Sequence, residues 1–291
     1  MKKELFKDMA RYVFPPLFMD IGRTIKNRIT DSKKIEWEYI PEGWRYAETH
    51  KQVRGWNVPE ILEAYKSKWP KFVAMAEGRG PLGMSHESKL DTNFDVYFHN
   101  TIMSFAYAVT LAAHGLNFLT LLDWGGGIGH YFLLAKSVLP EVEIEYHCKD
   151  VPILVEHGRQ LFPKMNFYSD DSCLNRKYDF VMLGTALQYV EGWAALLKKL
   201  SEATKNYLYI AHLPIVLKAP SFVFIQRPYS YGYGTEYLGW CLNKGEFLKS
   251  ADAAGLELVR EFVYGYKPLI YKAPEQNEYR GYLFRLKDRD A

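Results

Sequence analysis

A short apolar run near the middle of the chain passes directly into a turn rich in glycine. Residues 118–122 have the length of a buried strand, Asp123 ends the run, and Gly125, Gly127 and Gly129 follow. Because glycine has no Cβ, such a turn can adopt positive φ angles and lets a ligand approach the main chain closely. The apolar residues after the turn predict a helix, whose start presents free N–H groups to the same place. Together these features indicate the first half of a nucleotide-binding βαβ unit.

The glycine spacing differs from the dinucleotide fingerprint G-x-G-x-x-G, which would need a third glycine where His130 stands. The stretch reads D-x-G-x-G-x-G, and it resembles the first motif of class I S-adenosylmethionine-dependent methyltransferases. An NAD-dependent oxidoreductase is therefore disfavoured. The resemblance implies S-adenosylmethionine as cofactor, S-adenosylhomocysteine as product, and cofactor contacts from Asp123, Gly125, Gly127 and Gly129. For the motif alone, a glycine turn without a ligand remains the alternative.

Composition narrows the possible partners. The 291 residues carry a net charge of +3, too little for a strong field toward nucleic acid, so we expect no nucleic-acid partner. The three cysteines are far apart in the sequence, which disfavours a disulfide scaffold or a zinc site and suits a reducing, cytoplasmic compartment. We expect no metal, no secretory signal and no membrane-spanning segment.

Residues 1–34 combine many basic residues with apolar ones, and Pro15 and Pro16 divide them into two short segments. Two interpretations stay open. The segments can pack on the rest of the protein with a solvated basic face, or they can make a weak contact with an anionic membrane surface. In the second case the protein would be peripheral to the inner membrane. The sequence does not predict the oligomeric state.

Two helices are predicted before the glycine turn. The first covers 58–76, with apolar residues three and four apart, and Asn57 is expected to cap it, with Glu60 at the capping-box position. The second covers 94–114. We expect these helices to cover one side of a sheet and to form part of the substrate pocket.

From residue 118 onward strand and helix patterns alternate, which predicts an α/β protein with a mostly parallel sheet. The predicted strands are 118–123, 143–148, 165–168, 179–183, 206–211, 257–263 and 279–286, and the helices are 129–138, 153–162, 193–200 and 244–254. Asn243, with Glu246 at the box position, is expected to cap the last helix. The resemblance implies a Rossmann-like sheet of seven strands, the last antiparallel between the fifth and sixth. We place an N-terminal helical and irregular cap in 1–92 and the methyltransferase domain in 93–291.

Acidic residues follow the second and third predicted strands. Asp150 stands where the resemblance places a carboxylate that binds both ribose hydroxyls, with Val151 beside it; a simple helix cap is the alternative. Asp170 and Asp171 stand at the adenine position, and a polar loop is the alternative there. The resemblance also places the loop after the fourth strand, with Gly184 and Thr185, over the methionine part of the cofactor.

Three passages closely resemble a narrower family, the methyltransferases found among bacterial surface-polysaccharide genes. They are YDFVMLGTALQYVEGW at 178–193, SFVFIQRPYSYGYGTEYLGWCLNKGEFLKSADAAGLELV at 221–259 and YRGYLFRL at 279–286. This resemblance implies O-methylation of a sugar or glycan precursor as part of polysaccharide biosynthesis. A small-molecule N- or O-methyltransferase outside glycan metabolism, and a non-catalytic module that keeps the cofactor fold, remain alternatives.

An alcohol acceptor needs a base to take its proton. His212 directly follows the fifth strand and is the best candidate, although a histidine bonded to a backbone carbonyl is the structural alternative. Tyr189 and Glu236 are further catalytic candidates, and His99, His130 and Gln188 are weaker ones.

Residues 229–240 are rich in tyrosine and glycine and predict an aromatic surface that could stack on a sugar ring and move as a lid. The predicted substrate contacts are Gln188, Gln226, Tyr231, Tyr233 and Trp240. A packed surface loop is the alternative.

Overall fold

The strands predicted from the alternating pattern join one sheet. The computed structural model describes residues 35–85 and 95–287. The strands in this part of the chain are β1 (Trp37–Tyr39), β2 (Phe118–Trp124), β3 (Glu143–Lys149), β4 (Asn166–Tyr168), β5 (Tyr178–Gly184), β6 (Thr204–Val216), β7 (Phe222–Gln226), β8 (Tyr237–Asn243), β9 (Leu256–Val263) and β10 (Glu278–Leu286).

Apart from the short α1, which was not predicted, the α-helices lie close to their predicted positions. They are α1 (Tyr46–Thr49), α2 (Pro59–Glu77), α3 (Val96–Ala112), α4 (His130–Val138), α5 (Pro152–Leu161), α6 (Trp193–Ala203) and α7 (Lys244–Ala253). Short 3₁₀ turns occur at Gly43–Arg45, Asp171–Asn175, Leu187–Tyr189 and Tyr229–Tyr231.

The central part of the sheet is parallel. Strands β4, β3, β2, β5 and β6 are parallel neighbours in that order. Strand β10 runs antiparallel between β6 and β9, which confirms the α/β fold class and the predicted place of the last strand. The predicted number of seven strands is wrong, because the described residues contain ten.

The additional strands extend the sheet beyond β6. That strand continues past the predicted end at 211, and Ile215 pairs in parallel with Leu242 of β8. Strand β7 pairs antiparallel with β8, and β1 pairs antiparallel with β7. The residues on either side of the connection between β6 and β7, such as Ile215 and Phe224, are buried. Burial outweighs the strand-weakening effect of Pro214, which pairs opposite Tyr279.

Both faces of the central strands are covered by helices, as expected for buried parallel strands. Alternate residues face opposite sides: Leu121 packs in the cluster that contains Phe105 of α3, and Leu122 in the one that contains Leu197 of α6 and Phe247 of α7. Helix α2 joins the first of these clusters and also packs around the glycine turn.

One predicted N-cap and one predicted capping box differ from the structure. The N-cap of α2 is Val58, and the Asn57 side chain instead accepts a hydrogen bond from the Ile153 amide at 3.3 Å. Asn243 does cap α7, as predicted, accepting from the amides of Gly245 and Glu246. The Glu246 carboxylate, however, accepts from Ser221 rather than completing a capping box.

Some predictions concern residues that the structure leaves out. The membrane-contact hypothesis concerns residues 1–34, outside the described residues, and the domain boundary at 92 stays a prediction. Within 35–85 and 95–287, no helix has the length and apolar character needed to span a bilayer.

Candidate active site

A cavity of about 230 Å³ lies at the carboxyl ends of β2, β3 and β5, where α/β sheets bind their ligands. Loops after these strands form one wall, and residues from the N-terminal side of α2 form another. The lining residues are Trp56, Tyr65, Trp124, Gly125, Lys149, Asp150, Val151, Leu154, Gly184, Thr185, Ala186, Tyr189 and Val190. We call this space the glycine-loop cavity.

The glycine turn fits its surroundings only because it lacks side chains. Gly125 has a φ of 82°, and a Cβ on it would lie 2.4 Å from the Cβ of Ala186 in the loop after β5. A Cβ on Gly126 would lie 2.5 Å from the carboxyl group of Asp123. The turn is thus held between two strand ends, and its backbone forms part of the cavity wall.

Asp150 is oriented by the backbone around it. One carboxylate oxygen accepts from the Gly127 amide at 2.7 Å and the other from the Val151 amide at 2.6 Å. The side chain is half-buried at the cavity wall. Burial raises its pKa, and the two amides act against that rise. A carboxylate oxygen can accept more than one hydrogen bond, so both oxygens retain acceptor capacity toward a ligand.

Asp123 lies beneath the turn rather than in the cavity wall. Its side chain is fully buried and accepts from the Tyr146 hydroxyl at 2.5 Å. The other carboxyl oxygen, Oδ1, has no hydrogen-bond partner in the described part of the chain. Burial raises the pKa of this carboxyl from 3.8 to about 7.

The two acidic residues predicted at the adenine position do not line the cavity. Asp170 accepts from the Ser172 amide at 2.9 Å and begins the 3₁₀ turn Asp171–Asn175. Asp171 lies 4.0 Å from the ammonium of Lys149. Lys149 does line the cavity, with its nitrogen 4.1 Å from the centre of the Trp124 ring.

Thr185 directly follows β5, whereas His212 lies within β6 and not after it as predicted, because that strand continues to Val216. The Thr185 hydroxyl lies 2.7 Å from His212 Nδ1, and the Thr101 hydroxyl of α3 lies 2.5 Å from His212 Nε2. The imidazole is buried and stacks on the Tyr97 ring at 5.0 Å. Thr185 and His212 both have positive φ angles, 61° and 54°. Such angles are rare outside glycine and concentrate at functional sites.

Three other predicted residues lie close to this pair. Gln188 donates to the His212 carbonyl at 3.2 Å, and its buried Oε1 has no hydrogen-bond partner among the described residues. Tyr189 lines the cavity and donates its hydroxyl to Gln226 at 3.0 Å. Of these three, Tyr189 lines the cavity, Gln226 is bonded to Tyr189, and Gln188 is bonded to His212.

The aromatic segment 229–240 differs from its expected form. Tyr233 and Tyr237 are buried, and Tyr237 stacks on Trp56 at 4.5 Å. The end of the segment, from Tyr237 onward, belongs to strand β8 and not to a loop, and the mobile lid stays a prediction for the residues before it. A Cβ on Gly239 would lie 2.7 Å from the Phe224 ring, so this glycine serves close packing.

The remaining candidates lie apart from the glycine-loop cavity. Tyr231 packs edge-on against Tyr233, and the Trp240 indole donates to the Glu191 carbonyl at 3.0 Å. Glu236 lies 3.6 Å from the Arg227 guanidinium. His130 is fully buried, with the ring of Phe72 on α2 4.7 Å away.

Sequence reasoning missed part of the cavity wall. Trp56 and Tyr65 come from the N-terminal part of the chain, and Trp124 and Lys149 end the strands β2 and β3. The richness of residues 35–58 in aromatics was a signal, but which of them reaches the cavity depends on the packing of α2.

Solved structures with similar folds include S-adenosylmethionine-dependent methyltransferases. One from Clostridium acetobutylicum is 12% identical, covers 68% of this chain and 94% of its own, and has a TM-score of 0.44. The 1,6-didemethyltoxoflavin-N1-methyltransferase of Burkholderia thailandensis, solved with S-adenosylhomocysteine, is 13% identical, with coverages of 81% and 94% and a TM-score of 0.44. Magnesium protoporphyrin IX methyltransferase from Synechocystis, also with S-adenosylhomocysteine, is 14% identical, with coverages of 78% and 97% and a TM-score of 0.44.

No protein-family model and no curated protein sequence matches the chain. Because the structural similarities are low, the function has to be inferred from the residues of this chain.

Proposed function

We propose that this protein is an S-adenosylmethionine-dependent methyltransferase. The observation that carries the proposal is the Asp150 carboxylate, which the Gly127 and Val151 amides hold at the wall of the glycine-loop cavity. The backbone of Gly125 lines the same cavity where a Cβ would collide with Ala186. These residues fit an adenosyl ligand, because a carboxylate can bind two ribose hydroxyls and a bare backbone allows close approach.

The lining residues suggest how the cofactor would be held. Asp150 would accept from the ribose hydroxyls, while Val151 and Leu154 would offer apolar surface to the adenine. The main chain at Gly184 and Thr185 would face the methionine part. When bound, the cofactor supplies a methyl group on a positively charged sulfur, which an acceptor atom can attack. The protein orients the two reactants, excludes water and removes the acceptor's proton.

His212 is the proposed base. It lies one hydrogen bond away from the cavity, through Thr185, and its ring orientation is fixed by hydroxyls on both sides. Tyr189 and Gln226 would contact the acceptor from the other side of the opening. Glu236 is better suited to structural support, since it lies beside Arg227.

For the acceptor, we infer an oxygen atom of a sugar or glycan precursor. The support is the resemblance of three sequence passages to methyltransferases of polysaccharide genes, together with the Trp56 and Tyr189 rings at the cavity, which suit stacking on a sugar. The reaction would take place in the cytoplasm. A small-molecule acceptor outside glycan metabolism is the second candidate.

Binding is the first test. We expect calorimetry to detect S-adenosylhomocysteine binding to the purified full-length chain and no binding of NAD at the same concentration. Binding of NAD alone would contradict the proposal.

Turnover is the second test. Incubation with methyl-labelled S-adenosylmethionine and a panel of nucleotide sugars and glycans should yield a product heavier by the labelled methylene in the mass spectrum. Transfer only to non-sugar acceptors would keep the methyltransferase and overturn the glycan substrate. Cofactor binding without transfer to any acceptor would favour a non-catalytic module.

A further inference from the structure

The hydrogen bonds around His212 determine which ring nitrogen carries the proton. The Thr101 hydroxyl has a single hydrogen, and it is donated to the Tyr97 carbonyl one helical turn earlier, at 2.9 Å. Thr101 therefore accepts from His212, which assigns the proton of the neutral ring to Nε2. Nδ1 is then an acceptor, and the Thr185 hydroxyl at 2.7 Å is its donor.

Thr185 stands between the ring and the cavity. It lines the glycine-loop cavity together with Gly184 and Ala186. Its hydroxyl is hydrogen-bonded to His212 Nδ1, the nitrogen that would accept a proton if the histidine acted as a base. His212 is not among the residues that line this cavity, so Thr185 separates an acceptor in the cavity from the ring. The backbone of Thr185 is held at a φ of 61°, a strained conformation for a residue other than glycine. Strain of this kind at a β-branched residue points to a functional role for Thr185.

We propose that Thr185 is a further catalytic residue that relays the acceptor's proton to His212, a role that rests on the proposed function. The acceptor's O–H bond breaks and its proton binds Thr185 Oγ1. The original Thr185 proton moves to His212 Nδ1 as that O–H bond breaks, so threonine ends as it began. The ring becomes an imidazolium, and the acceptor oxygen keeps the electron pair of its broken O–H bond. With the cofactor bound, that pair would attack the methyl carbon, and the electrons of the carbon–sulfur bond would stay on sulfur.

The surroundings of His212 suit the charge that it gains. The Tyr97 ring lies nearly parallel to the imidazole at 5.0 Å, and the Tyr264 ring stands edge to face at 4.9 Å. A cation over an aromatic face is stabilised electrostatically. The proton on Nε2 stays hydrogen-bonded to the Thr101 oxygen, which keeps the ring from turning while Nδ1 takes up its proton.

Two substitutions separate the chemistry of Thr185 from its backbone strain. Thr185→Gly removes the hydroxyl and relieves the positive φ, so it should fold at least as well as the natural chain. Thr185→Ser keeps the hydroxyl. Thr49→Ala, on the exposed helix α1, is the control for loss of a threonine.

The first readout needs neither cofactor nor acceptor. In ¹⁵N NMR spectra of histidine-labelled protein, with His212 assigned from the His212→Gln variant, we expect the Nε2–H tautomer. Thr185→Gly should shift the Nδ1 resonance, while Thr185→Ser and Thr49→Ala should leave it in place. An Nδ1–H tautomer, or a resonance that ignores Thr185→Gly, would overturn the relay.

The second readout is turnover with the acceptor found in the panel. Thr185→Gly should lower turnover by about a hundredfold or more, the usual effect of losing proton-transfer catalysis, with Thr185→Ser close to the natural chain and S-adenosylhomocysteine affinity unchanged in both. Full turnover of Thr185→Gly with normal cofactor affinity would refute the relay alone. Failure of the natural chain to bind S-adenosylhomocysteine would refute the proposed function itself.

Discussion

At the scale of single residues, two carboxylates at neighbouring strand ends have opposite surroundings. Asp150 is half-buried and accepts from two backbone amides, whereas Asp123 is fully buried with one hydroxyl donor. At the first, the two amides stabilise the charged form against the effect of burial, which raises the pKa. The second lies under the glycine turn, where charge is costly.

Removing the Asp150 side chain should weaken cofactor binding. We expect Asp150→Ala to reduce the affinity for S-adenosylhomocysteine by about 1.5–3 kcal/mol, roughly ten- to a hundredfold, because a hydrogen bond to a charged group is lost. Isothermal titration calorimetry measures the change.

The matched control for Asp150→Ala is Asp252→Ala, at an exposed position of α7, which should leave the affinity intact. An unchanged affinity in Asp150→Ala would contradict the ribose contact. Asp170→Ala and Asp171→Ala in the same titration test the predicted adenine contact, which the structure does not place in the cavity wall.

Asp123 should make stability depend on pH. Its folded pKa of about 7 lies above the ordinary 3.8, so its contribution to stability is complete below pH 4 and is lost as the pH rises through 7. Replacing it by asparagine removes the titration. Relative to Asp123→Asn, the natural chain should therefore lose up to about 4 kcal/mol of unfolding free energy between pH 4 and pH 8.

Urea unfolding of the natural chain and of Asp123→Asn at several pH values checks this difference, because every other titrating group is shared. Parallel stability curves for the two proteins would show that the folded Asp123 carboxyl has an ordinary pKa.

At the scale of elements, α5 carries two cavity residues, Val151 at its N-cap and Leu154. Its position depends on Gly158, where a Cβ would lie 2.3 Å from the Phe167 ring of β4. In an open helix, alanine would be more favourable than glycine by about 1 kcal/mol. Here overpacking reverses the sign, and we expect Gly158→Ala to destabilise by about 1–3 kcal/mol.

Chemical denaturation measures that loss, with Gly80→Ala as the control. Gly80 is exposed, has no atom within 4 Å of an added Cβ and has no positive φ, so its replacement should change stability by less than about 0.5 kcal/mol. A more stable Gly158→Ala would mean that α5 can move away from β4 without cost.

The elements that sequence predicts well are those with a clear apolar run. Strands β2 and β5 are continuous apolar runs bounded by turn residues, and both lie where the pattern placed them. Strand β8 was missed because Tyr237 and Gly239 stand in a segment rich in tyrosine and glycine, whose composition is also that of a loop. Its burial against β7 and Trp56 comes from contacts distant in sequence.

In the cavity, too, some residues could be predicted from the local sequence and others depend on contacts distant in sequence. Carboxyl ends of parallel strands meet at one edge, so Asp150, Gly184 and Thr185 could be placed near one another without a structure, and all three line the cavity. The sequence could not place Trp56 and Tyr65 in the cavity wall, because their positions depend on how α2 packs over the glycine turn. The Thr101 bond to His212 likewise depends on α3.

At the scale of the whole molecule, the cavity joins distant parts of the chain. Trp56 and Tyr65 close it from the N-terminal side, while the other lining residues extend to Val190. A ligand that bridges these parts favours the folded state, because it binds the assembled cavity and not the unfolded chain.

S-adenosylhomocysteine at a hundred times its dissociation constant should therefore add about 2.7 kcal/mol to the free energy of unfolding. For a chain of this size that corresponds to a rise in Tm of roughly 4–5 °C, measurable by differential scanning fluorimetry. Trp56→Ala should reduce the rise at equal ligand concentration, because it opens one wall of the cavity, and NAD should give none. An equal rise in Trp56→Ala would place the ligand away from this wall, since stabilisation by a ligand depends only on its affinity for the folded chain.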